Sequence, residues 1–303
     1  MLTLFTTAKP FRGQMDTTQR NALKSWKLLH SDVEVILFGD DEGAAEVCAE
    51  FGLRHEPRAE RHQNGMKYLS YLFERAQAIA RYEYLCYANC DIILLEDFYR
   101  AFVKAVSWRK RFLMIGQRWD ADITKPIDFA DPGWDVSLRL HTQKIGFRQA
   151  MHYIDYFAFC RGVYDQLPPF LLGRSWWDHW LIWKALSRDV PVIDCSSAVM
   201  AVHQNHPHTY HPQGKQGTHE DVLAGRNKGL AGDGRHLRII ADSTHIFAGK
   251  DVIRRALPFR RFMVWTLPKL WKTLIFRTFW LRKPLGLRRE NLSKLAQKLR
   301  YKL

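Results

Sequence analysis

Residues 69–97 read LSYLFERAQAIARYEYLCYANCDIILLED, and a helical pattern turns into a strand pattern inside this one segment. Leu69, Leu72, Phe73, Ala76, Ile79 and Ala80 recur three and four residues apart, the spacing that lines one face of a helix. Tyr84–Ala88 is then an apolar run, and Asn89-Cys90-Asp91 separates it from a second one, Ile92-Ile93-Leu94-Leu95. A strand that is apolar on both faces predicts a parallel sheet covered by helices on either side. Its polar carboxyl end falls where open α/β sheets bind their ligands.

The same alternation runs upstream. Leu2–Thr7 is a short β-prone run, and Asn21–Leu29 places Ala22, Leu23, Trp26 and Leu29 on one helical face. Val33–Phe38 is a second buried strand, broken by Gly39-Asp40-Asp41-Glu42-Gly43, after which Ala45, Val47, Cys48 and Phe51 resume helical spacing until Gly52 stops it. Thr6-Thr7, Gly39-Asp40 and Asn89-Cys90-Asp91 are thus expected to meet in one crevice beyond neighbouring strand ends. Downstream, Phe112–Gly116, Tyr156–Phe159 and Val190–Asp194 read as strands and Asp178–Ser187 as a helix. Gln117–Arg148 shows no regular period, and His203–Gly217 reads as a loop rich in His, Pro and Gly. There is no internal repeat.

The chain has 303 residues and a formal charge of +15, and the position of that charge decides what it means. Residues 251–303 hold 15 Lys and Arg against 2 Asp and Glu, which leaves 31 against 29 in the first 250 residues. The expected organisation is therefore a near-neutral body over 1–250 and a basic tail over 251–303. A neutral body excludes nucleic acid as an electrostatic partner. The tail interleaves Phe259, Phe262, Trp265, Trp271, Phe276, Phe279 and Trp280 with Arg260, Arg261, Lys269, Lys272, Arg277, Arg282 and Lys283. It does not suit a transmembrane path, because a charge at mid-bilayer costs about 3 kcal/mol and Pro258, Pro268 and Pro284 interrupt it. A basic amphipathic helix lying on an anionic membrane surface is expected, the alternative being a helix packed on protein. Cys48, Cys86, Cys90, Cys160 and Cys195 are odd in number, lie mostly in apolar stretches and form no CxxC pair, so they read as reduced core thiols. The opening residues lack a basic leader followed by an apolar stretch, so the expected location is cytoplasmic, peripheral on the inner face of the membrane.

Several residues could carry chemistry, each with a plain structural alternative. Asp91 at a strand end suits either a divalent cation bridging two phosphates or an Asx turn. Asp178, at a predicted helix start among Trp176, Trp177 and Trp180, suits either an N-cap or a general base raised by a dry neighbourhood. Those indoles are either sugar-stacking platforms or core. His203, His206, His208 and His211 fall within nine residues, as a metal or phosphate contact or as a solvated loop.

Taken together, these features resemble bacterial GT-A-fold (family 2-like) glycosyltransferases over about residues 1–245. The likeness rests on Leu72-Phe73-Glu74-Arg75-Ala76 and Cys86–Leu94, and continues through Gly116-Gln117-Arg118-Trp119-Asp120, Asp155-Tyr156-Phe157, Trp177–Ile182 and His203-Gln204-Asn205-His206. It implies a Rossmann-like, mainly parallel sheet flanked by helices. It also implies transfer of a sugar from a nucleotide-diphosphate donor, such as a UDP-sugar, to a hydroxyl of a lipid-linked or surface glycan. Asn89 stands where DxD members carry their first Asp, so the resemblance assigns the metal (Mn²⁺ or Mg²⁺) to Asp91, with His203 completing its shell, and leaves Asn89 as a ribose or water-mediated contact. Thr6 and Thr7 would meet the nucleotide, Asp40 a base N–H and Lys67 a phosphate. Trp119, Asp120 and Trp177 fall on the acceptor side, and Asp178 would be the base of an inverting reaction. A retaining enzyme would leave Asp178 structural. A sugar-phosphate nucleotidyltransferase would need a Gly-rich, Arg-containing loop after the first strand, of which Ala8–Gly13 is a poor version, and a non-enzymatic adaptor would rest on the tail alone.

Overall fold

A computed structural model describes residues 1–206, 214–248, 252–257, 260–267 and 270. The chain runs β1 (Leu2–Thr7), α1 (Gly13–Lys27), β2 (Val33–Phe38), α2 (Ala44–Phe51), β3 (Arg54–Glu56), α3 (Leu69–Ile79), β4 (Tyr84–Ala88), β5 (Ile92–Ile93) and α4 (Glu96–Trp108). It continues with β6 (Leu113–Ile115), β7 (Arg118–Ala121), α5 (Trp134–Ile145), β8 (Phe147–Arg148), β9 (Tyr156–Cys160), α6 (Trp177–Leu186), β10 (Val192–Asp194) and β11 (Ala201–Gln204). Then follow α7 (Gly214–Glu220), α8 (Val222–Leu230), β12 (His245–Ala248) and β13 (Val252–Arg255).

The expected α/β architecture, a mainly parallel sheet flanked by helices, is the one observed. The main sheet has nine strands in the order β13-β12-β10-β6-β9-β4-β1-β2-β3. β4, β1 and β2 are adjacent and parallel, whereas β9 inserts antiparallel between β4 and β6. Period-two alternation divides each strand between two cores. Leu2 and Leu4 of β1 and Val33, Val35 and Leu37 of β2 pack with α1, α2 and α4, while Phe5, Ile36 and Phe38 pack on the other face with α3 and α6. The latter core is dense in aromatics, with Phe5 set edge-on to Phe73 at 5.1 Å between ring centres.

Two stretches differ from their sequence reading. The excursion over 117–148 is ordered as β7, α5 and β8, and His203–Gln204 closes a strand instead of opening a loop. Both belong to a second sheet, β5-β11-β7-β8, whose strands of two to four residues are too short to show a period. Its own small core holds Ile93, Leu95, Leu138, Met200 and Val202. α1 also begins before the expected Asn21, because its extra turns bury Thr18 and Gln19, which no apolar count registers.

By internal contacts the chain divides into Met1–Arg254 and Arg255–Leu303. In the second unit the described part includes a short π-helical turn at Phe262–Thr266. Pro258, Phe259, Pro268, Lys269 and everything from Trp271 onward, the bulk of the expected amphipathic helix, lie outside the described residues, as do His208 and His211. No helix among the described residues is long and apolar enough to cross a membrane.

Candidate functional site

Because β4, β1 and β2 are neighbours, their carboxyl ends bring Asn89–Asp91, Thr6–Ala8 and Gly39–Asp41 together, as the alternation of elements predicted. The second sheet stands over this edge. Asp91 forms the turn between β4 and β5, and β5 pairs antiparallel with β11, so Ile92 lies opposite His203. β11 pairs parallel with β7, which sets Asp120 beside His203.

Asp91, His203 and His206 therefore face one another. Asp91 Oδ2 lies 3.2 Å from His206 Nε2 and 3.7 Å from His203 Nε2. One ligand atom from each of the three residues falls within 4.8 Å of the other two. Asp91 Oδ1 is buried with no hydrogen-bond partner. A buried carboxylate oxygen left unpaired among imidazoles is costly unless a cation meets it, so the donor set fits a divalent ion. Burial opposes the charge on Asp91, but His203 and His206 overcome it and hold the carboxyl well below the usual carboxylate range. Lys9, absent from the sequence reading, lies close enough to Asp91 to contribute to the same effect.

A second charged layer backs the first. His203 Nδ1 lies 3.3 Å from Asp120 Oδ1, which also accepts from Arg118 Nε at 2.7 Å, while Asp120 Oδ2 accepts from Gln149 Nε2 at 2.6 Å. Asp120 stands on the Nδ1 side of the ring, and Nε2 faces Asp91. Arg118 also donates to Asp155 Oδ2 at 3.1 Å and stacks on Tyr153. Asp155 Oδ1 accepts from Asn89 Nδ2 at 2.6 Å, and Asn89 Oδ1 accepts from Tyr87 Oη at 3.1 Å. Both ends of the Asn89 amide are thus engaged by protein.

Asp178 sits in the first turn of α6, with Trp176 at the N-cap. Its Oδ1 accepts from the His179 N–H at 2.9 Å and its Oδ2 lies 3.7 Å from His179 Nε2. Burial, with help from the Asp155 carboxylate, raises its carboxyl above the ordinary aspartate range. Trp176 holds a left-handed backbone, φ 90°, which is strained for a bulky residue.

The other assignments are sorted by which way their side chains face. On β7 Trp119 points away from Asp120 and packs on the core of the second sheet, and Trp177 is buried edge-on to Tyr87 at 5.5 Å. The first turn of α6 sends Trp177 inward, where it is buried, whereas Trp119 is only partly buried. Of the three tryptophans around Asp178, Trp177 and Trp180 are core and Trp176 is only partly buried. The Thr7 hydroxyl donates to the Phe38 carbonyl at 2.8 Å and that of Thr6 to the Thr7 carbonyl at 3.4 Å. Asp40 is exposed, and Arg61 donates to it at 2.8 Å. Lys67 is buried, donating to the Ala8 carbonyl at 2.8 Å and pairing with Asp41. Its stem passes where a side chain on Gly39 would stand, 2.9 Å from an ideal Cβ, so Lys67 clamps the ends of β1 and β2 and is not presented as a free point charge.

Sequence reasoning placed His206 in a histidine cluster that could contact a metal but chose His203 as the ligand, and it gave no role to Arg118, Asp155 or Lys9. Nothing local marks Arg118 or Asp155, which meet only because the fold brings the start of β7 to the residue before β9.

No family model matches the chain, and no curated protein matches it in sequence. Among solved structures it is similar to S. aureus TarS 1–349 in complex with UDP-GlcNAc, with 7% identity, TM-score 0.46 and coverage of 68% of this chain and 58% of that one. It is also similar to glucosyl-3-phosphoglycerate synthase from Mycobacterium tuberculosis in complex with Mg²⁺ and UDP, with 12% identity, TM-score 0.46 and coverage of 86% and 91%. A mycobacterial protein aligns with 13% identity, TM-score 0.44 and coverage of 76% and 73%. The chain thus spans under two thirds of the TarS chain. Superpositions this loose leave the function to the chemistry of the site.

Proposed function

We propose that the chain is a metal-dependent GT-A-type glycosyltransferase that moves a sugar from a nucleoside-diphosphate donor to an acceptor hydroxyl, with inversion. The observation that carries this reading is the Asp91–His203–His206 donor set, with its unpaired Asp91 oxygen, at the strand ends where such sheets bind nucleotides. The nucleotide lies along Thr6, Thr7 and Asp40, and Lys67 holds that edge in shape. Lys9 meets the negative charge of the diphosphate. Asp91, His203 and His206 would hold a divalent ion, which would neutralise the charge that accumulates on the departing diphosphate. Two imidazoles beside one carboxylate suit Mn²⁺ better than Mg²⁺, which prefers all-oxygen ligands.

Asp178 takes the proton of the attacking hydroxyl as the new bond to the anomeric carbon forms and the bond to the diphosphate oxygen breaks. Burial near Asp155 makes it a stronger base than a solvated aspartate. Trp119 and Trp176, both partly buried, are the indoles left to meet an acceptor sugar, while Trp177 lines the core. The acceptor is a lipid-linked or surface glycan, reached with the basic tail on an anionic membrane. The body over 1–250 and the tail over 251–303 act as separate modules.

Titrating UDP calorimetrically with and without Mn²⁺ tests this reading. Wild-type protein is expected to bind UDP more tightly with the ion, and Asp91→Ala and His206→Ala to lose that gain while staying folded. An unchanged Mn²⁺ effect in Asp91→Ala would remove the metal site from the proposal.

A further inference from the structure

Gln204 lies between two of the three proposed metal ligands in sequence, is fully buried, and has no place in the chemistry above. Its backbone N–H donates to the Asp91 carbonyl at 3.2 Å, and its side-chain Nε2 donates to the same carbonyl at 3.3 Å and to the Thr18 carbonyl at 2.7 Å. Its Oε1 accepts from Asn21 Nδ2 at 2.9 Å. Asn21, buried on α1, also donates from Nδ2 to the Lys125 carbonyl at 3.1 Å and accepts the Ile127 N–H at Oδ1 at 2.9 Å. Each amide has two carbonyls facing its nitrogen and one donor facing its oxygen, so only one orientation of each satisfies the network.

A buried polar network of this kind is stabilising only when complete, and an apolar pair of equal size would fill the space with less demand on geometry. What the network supplies is position. It ties the Asp91 turn, the strand carrying His203 and the chain leading to His206 to one helix. A further bond from Gln14 Nε2 to the Asn205 carbonyl, 3.1 Å, fixes the link between the two histidines to the same helix. Asp91 and the histidines come from segments more than a hundred residues apart, and no covalent constraint sets their spacing. We infer that Gln204 and Asn21 are positioning residues that set the geometry of the Asp91–His203–His206 site for its divalent ion, although neither touches the ion.

This inference rests on the metal reading, and its test separates the two. Mn²⁺ affinity of the full chain is measured by electron paramagnetic resonance, and coordination by the visible spectrum of the Co²⁺ form, neither of which requires activity. Gln204→Met keeps side-chain volume but removes both donors and the acceptor, and Asn21→Ala removes the support of Gln204 while leaving every ligand in place. Each is expected to weaken Mn²⁺ binding roughly 10- to 100-fold and to alter the Co²⁺ spectrum, as loss of groups that orient ligands does elsewhere. Phe102→Leu, on the buried face of α4, serves as a control of matched thermal destabilisation and is expected to keep wild-type affinity and spectrum. Should Gln204→Met fail to fold, Asn21→Ala carries the measurement. Wild-type Mn²⁺ affinity and an unchanged spectrum in the variants, or an equal loss in the control, would overturn the inference alone. A wild-type chain that binds no Mn²⁺ would remove the metal reading and this inference with it.

Discussion

Asp178 illustrates how a single carboxylate changes character with its surroundings. Burial raises its carboxyl above the ordinary value, so ionising it in the folded chain is harder than in the unfolded one. The folded state therefore holds its proton to higher pH, and the associated stability is present at low pH and lost as pH rises through the raised value. As a general base the group must be ionised, so turnover is expected to rise with pH along a limb lying above the roughly 3.9 of a free aspartate. Asp178→Asn is expected to flatten that limb, to lower kcat by about 10²- to 10⁴-fold with donor affinity kept, and to be no less stable than wild type near neutrality. Steady-state kinetics across pH, with thermal melts of both proteins, check all three. Wild-type turnover in the variant would make the residue structural, and a product of retained configuration would reject the inverting mechanism. From the sequence this residue was ambiguous between cap and base. The structure puts Trp176 at the cap and Asp178 two residues on, in the first turn near Asp155, and that neighbour comes from the segment leading into β9, which no local pattern connects to it.

At the scale of elements, α1 does work that its apolar residues did not announce. Ala22, Leu23 and Trp26 cover the sheet as the helical period predicts. The same helix also reaches the second sheet through polar atoms: Trp26 Nε1 donates to the Ile92 carbonyl at 2.8 Å, and Ser25 Oγ accepts the Leu94 N–H at 3.3 Å. Trp26→Phe is expected to leave a buried carbonyl without its donor and a smaller ring in the cavity, destabilising the fold by about 2–4 kcal/mol. Denaturant titration followed by circular dichroism measures it, and a change within 0.5 kcal/mol, the usual range of a surface substitution, would show that the bond adds nothing. The short strands of the second sheet were not legible because a two-residue strand such as β5 has no period at all. They exist because β11 and β7 find each other across the fold.

For the whole molecule, charge separates body from tail more sharply than any structural boundary. The 15 basic residues against 2 acidic ones in 251–303 predict attachment to an anionic surface, aided by aromatics that salt does not screen. Val252–Arg255 is the edge strand of the main sheet, so an informative truncation removes 258–303 and leaves that strand in place. The full chain is expected to float with vesicles containing phosphatidylserine and to detach partly as salt rises, while the truncated chain stays soluble and unbound. Equal flotation of both would refute the anchor, and an insoluble truncation would make the tail part of the folded body.

The sequence by itself determined the alternating strands and helices, the three polar strand ends that meet in one crevice, and the segregation of charge into the last 53 residues. These are properties of periodicity and composition, set by neighbours a few residues away. Only the tertiary structure decided that His206 joins Asp91 and His203, that Arg118 bridges Asp120 and Asp155, that Asn89 bonds to Asp155 and Lys67 to the Ala8 carbonyl, and that Trp177 is buried against Tyr87. Each of these depends on which strands pair and in what register, and a one-residue change of register would turn every such side chain to the other face.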